Sequence, residues 1–137
     1  MKALRNKTLI IVALQLLVAS LHALHLKSYL SAPWDIYYSS WFSDVLIPFG
    51  FYFLLCLNDM SLRILKPWYV KAAIIFLLCT TSEVLQFYGI YAFGVTFDWL
   101  DILAYCAGVL LAALVERKLF ARLSFWNITT LKESNQT

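Results

Sequence analysis

The sequence predicts an all-α fold, an integral membrane bundle of four transmembrane helices with both termini cytoplasmic. Three observations predict it. Of 137 residues, 62% are hydrophobic and 14% charged, where soluble domains hold roughly 45–50% and about 25%. Four windows are apolar over close to the roughly 20 residues needed to cross about 30 Å of hydrocarbon. The basic residues, finally, gather on one side of those windows. A soluble domain of this size has too little interior to hide so much apolar surface. The same composition excludes a disordered chain, a collagen, a nucleic-acid-binding module and a disulfide scaffold.

The first span covers about 8–26 and follows Lys2, Arg5 and Lys7. A basic start, an apolar run and the small residues Ala19 and Ser20 also fit a cleaved signal peptide. Apolar character persisting to Leu30 favours an anchor. The second span, about 41–57, is the shortest, and Pro48 is expected near its start, where a missing N–H does least harm. The third covers about 70–91. The fourth, about 99–115, carries Asp98 and Asp101 in its first turn, where acidic groups suit the positive end of the helix dipole. Residues 1–123 read as one transmembrane domain, and 124–137 as a polar tail that frays.

Orientation follows from charge. Lys2, Arg5, Lys7, Arg63, Lys66, Lys71, Arg117, Lys118, Arg122 and Lys132 fall on one side of the spans, and Lys27 alone on the other. The net charge of +3 then describes a cytoplasmic rim facing anionic headgroups, not a nucleic-acid surface. Trp34, Trp41 and Trp99 on the outer side, with Trp68 and Trp126 on the inner, read as an aromatic belt at headgroup depth. The aromatic linker from Ser28 to Ser43 is expected to lie in the outer interface.

Polar residues inside the spans repeat at helical spacing. Gln15, Val18, His22 and His25 share a face of the first span. Thr80, Glu83 and Gln86 share one on the third, and Asp98, Asp101, Tyr105 and Gly108 one on the fourth. Asp44 opens the second. A charge at the bilayer centre costs about 2.5–3.5 kcal/mol on insertion scales, so such faces turn inward. His22, His25, Asp44, Glu83, Gln86, Asp98 and Asp101 all fall in the outer half. They predict an outward polar pocket with Glu83 at its floor and Tyr105 alongside. Plainer roles compete: Asp98 as a helix cap, and Glu83 with Gln86 as a neutral packing pair. His22, His25 and Asp44 are the set a zinc ion could use, although no metal and no cofactor is expected. Cys56, Cys79 and Cys106 lack ligand spacing and read as small hydrophobes. No phosphate-binding loop, nucleophile elbow or zinc-protease helix occurs.

Glu83-Val84-Leu85-Gln86, then Thr96-Phe97-Asp98-Trp99-Leu100-Asp101, Tyr105 and Gly108, resembles the VanZ-like family of small polytopic membrane proteins. That family carries E-x-x-Q in one span and R-[ST]-x-D-x-x-D-x-x-x-N-x-x-G at the start of the next. Glu83, Gln86, Thr96, Asp98, Asp101 and Gly108 match. Val95 stands in place of the arginine and Tyr105 in place of the asparagine. The resemblance implies a helical bundle in a prokaryotic cytoplasmic membrane. One family member is linked to low-level teicoplanin resistance, and no enzymatic activity or cofactor comes with the name.

The function expected is that of a non-enzymatic cell-envelope protein whose partners are membrane lipids or a lipid-linked cell-wall component. Two alternatives stand beside it. One is an intramembrane enzyme or proton-coupled carrier using Glu83, Asp98 and Asp101. The other is a structural or assembly subunit whose polar faces hold helices together.

Overall fold

The computed structural model describes residues 2–23, 31–32, 34–59, 61–90 and 98–126, with the backbone alone for 34–40. The described residues form four α-helices: α1 (Lys2–Ala23), α2 (Trp34–Asn58), α3 (Trp68–Phe87) and α4 (Trp99–Lys118). Short 3-10 turns follow α2 at Arg63–Leu65 and α4 at Phe120–Arg122. All four helices include a stretch long and apolar enough to cross a membrane, and no strand occurs among the described residues. This is a multi-pass helical membrane protein.

The helix ends correct several expected boundaries. The second membrane span runs Trp41–Asn58, close to the expected 41–57, but its helix α2 already starts at Trp34, so much of the aromatic linker is helix. Pro48 therefore lies in the interior of α2, not near its start. Its missing N–H leaves the Asp44 carbonyl without the usual helical donor, and the ring is buried. α3 stops at Phe87, short of the expected Tyr91, because Gly89 adopts φ +78°. The Ile90 N–H then reaches the Leu85 carbonyl and the Gly89 N–H the Gln86 carbonyl, each at 2.9 Å. That is a Schellman cap, which ends the helix by consuming its free carbonyls. At the head of α4, the Asp98 carboxylate accepts the Leu100 N–H at 3.0 Å.

Glycine sets the closest approaches. A Cβ on Gly108 of α4 would lie 2.4 Å from the Val45 carbonyl oxygen and 2.7 Å from Pro48 Cγ, both on α2. Only a residue without Cβ lets these two backbones meet, and α2 against α4 is the largest helix pairing in the bundle. α1 is fastened to α2 by the Gln15 amide, which donates to the Gly50 carbonyl at 2.8 Å.

Burial runs opposite to that of a soluble protein. Lys7, Lys71, Ser82, Glu83, Gln86 and Glu116 are buried, while Leu9, Leu16, Leu77, Leu103 and Leu114 point outward. Packing of Ile11, Phe53, Ile75, Val109 and Ala112 fills the space between helices. Trp126 corrects the reading of the tail and of the inner belt. It is 3% exposed, with its ring 4.6 Å from that of Phe120 and 6.5 Å from that of Phe53. The folded unit therefore extends past residue 123.

Candidate functional site

The up-and-down course of the chain gives the bundle two chemically different ends. The end of α1, the centre of α2, the end of α3 and the start of α4 form an acidic end. The start of α1, the end of α2, the start of α3 and the end of α4 form a basic end.

At the acidic end, helical spacing on α3 and α4 brings Glu83 to Tyr105. The phenol donates to Glu83 Oε1 at 2.6 Å, and the Gln86 amide donates to the same oxygen at 3.5 Å. Glu83 is 2% exposed, yet its other oxygen, Oε2, is buried without a hydrogen-bond partner. The Thr80 and Ser82 hydroxyl oxygens are in the same condition. Three such atoms within four residues of α3 are a concentration that buried polar groups rarely show. Beside them, the Asp44 and Asp101 carboxyls lie close enough across α2 and α4 to interact electrostatically. Asp44 also feels the charge of Glu83 and Asp98, so the acidic groups of α2, α3 and α4 form one electrostatic unit.

The remaining candidates stand apart. Asp98 is exposed and occupied as the cap of α4. His22 is exposed, with Nδ1 3.2 Å from Ser43 Oγ, so it faces Ser43 while Asp44 faces Asp101. His25, Val95 and Thr96 lie outside the described residues.

No family model, curated protein or solved structure matches this chain. Its chemistry is therefore read from its own geometry.

The basic end holds a second cluster, absent from the sequence-based candidates. Glu116, in the last turn of α4, accepts from Lys71 Nζ at 2.5 Å, Trp126 Nε1 at 3.4 Å and Cys56 Sγ at 3.6 Å, and from the Tyr52 hydroxyl. Asp59, just past α2, pairs with Lys7 at 2.6 Å and with Lys71 at 3.4 Å. Lys7 and Lys71 are 1% and 0% exposed. They are therefore not part of a rim that meets headgroups, which corrects the sequence reading for these two residues. Lys7 also lies 4.7 Å from the centre of the Trp126 ring. Cys56, Asp59 and Glu116 place potential ligand atoms within 4.8 Å of one another. Two ammonium groups already rest on these carboxylates, so the donor set fits lysine and not a metal ion.

The sequence did carry a signal for this cluster. Carboxylates at the ends of α2 and α4 oppose the helix dipole and call for a cation. The two ends thus differ in kind. Glu116 is saturated by donors, whereas Glu83 has an acceptor to spare.

Proposed function

We propose that this chain is a VanZ-like protein of a prokaryotic cytoplasmic membrane that binds a lipid or lipid-linked envelope component at its acidic end, without catalysing a reaction. Asp44, Glu83, Gln86, Asp101 and Tyr105 are the binding residues. The observation that carries this reading is the buried Glu83 Oε2, which lacks a partner while Oε1 is held by Tyr105. A headgroup hydroxyl or amine donates to such an oxygen and removes the cost of leaving it unmade. The adjoining negative groups favour an amine.

The orientation belongs to the same proposal. Lys7, Arg63, Lys66, Lys71, Arg117, Lys118 and Arg122 gather at the opposite end, which the positive-inside rule assigns to the cytoplasm. Both termini are then cytoplasmic, and the acidic end faces the envelope.

The test is to purify the full chain in mild detergent and compare its retained lipids with those of the source membrane by mass spectrometry. Enrichment of a species with a hydroxyl- or amine-bearing headgroup supports the reading. A retained set identical to bulk membrane counts against it.

A second reading, a proton-coupled carrier, is favoured by the neighbouring Asp44 and Asp101 carboxyls, since two close carboxyls can share and exchange a proton. Proton flux into vesicles that disappears in Asp101→Asn would select it over simple binding.

A further inference from the structure

We propose that the basic end carries a second lipid site, a cleft for an anionic phospholipid with Arg117 as its headgroup ligand. Trp68, Leu110, Ala113, Leu114 and Arg117 line a cleft of about 200 Å³ on the α3–α4 surface. Leu110, Leu114 and Arg117 are spaced four and three residues apart, so they run along one face of α4. Ala113 deepens the cleft because its side chain is a single methyl group. Trp68, the first residue of α3, forms the opposite wall.

The volume is below the roughly 300–1,000 Å³ of pockets that engulf a small molecule. It suits instead a length of acyl chain lying along the helix. Leu110 and Leu114 are both exposed and flank that path.

Charge decides the headgroup. Arg117 is exposed in the last turn of α4 and stands 5.3 Å from the centre of the Trp68 ring. A ring engages the face of a guanidinium and leaves its in-plane N–H groups for an anion. A phosphodiester is the anion those groups match best. Lys118 and Arg122 add positive charge nearby. The cleft thus places apolar walls below a phosphate ligand, the order in which a phospholipid presents its own parts. This inference is independent of the acidic-end reading, since the two sites share no residue.

The test uses native mass spectrometry of the full chain in detergent, titrated with dioleoyl phosphatidylglycerol or dioleoyl phosphatidylcholine. Wild type is expected to retain the anionic lipid preferentially. Arg117→Gln should weaken phosphatidylglycerol retention about five-fold, the effect of one basic residue at a membrane surface, with phosphatidylcholine unchanged. Leu110→Phe, which narrows the cleft and keeps the charge, should lower retention of both lipids. Arg5→Gln removes an exposed charge on α1, away from the cleft, and should leave retention as in wild type. Equal loss in Arg5→Gln and Arg117→Gln would reduce the effect to general attraction and overturn the site. So would wild-type retention in both cleft variants, or a dimer without lipid preference, which would give the cleft to a second copy of the chain.

Discussion

Lys71 Nζ stands 2.5 Å from Glu116 Oε1, tying the first turn of α3 to the last turn of α4 through a buried ion pair. Removing one member strands the other charge in an apolar bundle, at a cost of about 3–5 kcal/mol. Glu116→Ala should therefore lower unfolding stability in detergent by that amount, since Tyr52 and Trp126 lose their acceptor too. A loss under about 1 kcal/mol would mean that water reaches the pair.

Gly108 and Gly50 make unequal demands. At Gly108 an added methyl meets the backbone of Val45 and the ring of Pro48, neither of which can yield. Gly108→Ala should force α2 from α4 and cost about 1–3 kcal/mol. At Gly50 the nearest atom is Gln15 Oε1, 3.0 Å away at the tip of a flexible side chain. Gly50→Ala should thus be the milder change, and the two thermal melts compared side by side check the order.

Asp98 and Asp101 lie one turn apart but have different tasks. Asp98→Asn keeps an oxygen for the Leu100 N–H and should leave stability nearly intact, whereas Asp98→Ala should cost about 0.5–2 kcal/mol. Asp101→Asn keeps the shape of the side chain but carries no charge, so it should preserve folding and reduce ligand retention. If Asp98→Asn lost the ligand and Asp101→Asn kept it, the two assignments would be reversed.

Ser61 is exposed in the connection between α2 and α3. With both termini cytoplasmic, Ser61→Cys should resist a membrane-impermeant maleimide on intact cells and react after the membrane is opened. Labelling of intact cells would invert the topology.

The spans and the polar faces that carry Glu83 and Tyr105 were legible because each follows from spacing along a single helix, whereas the hydrogen bond between them joins α3 to α4 and was not. A turn of 3.6 residues places Gln86 beside Glu83, and puts Asp101 on the face of Tyr105. The interior position of Pro48 was not legible in this way. It depends on α2 starting at Trp34, inside the segment read as a linker, and the packing of Pro48 against Gly108, sixty residues later, is likewise encoded by no local pattern. Lys7 and Lys71 were hidden for another reason: the positive-inside rule accounts for them by position alone, and their carboxylate partners lie far away in sequence. Trp126 was read with its polar neighbours because the segment after Leu123 lacks apolar periodicity. One aromatic ring suffices to anchor it.

The central claim is that the spare oxygen of Glu83 holds a headgroup, and its most direct measurement is the lipid retained by Glu83→Ala relative to wild type. The protein is purified in the same detergent, with helix content checked by circular dichroism. A hydrogen bond to a charged group contributes about 1.5–3 kcal/mol, so the enriched species should fall by ten-fold or more. Undiminished retention in a folded Glu83→Ala protein would contradict the claim.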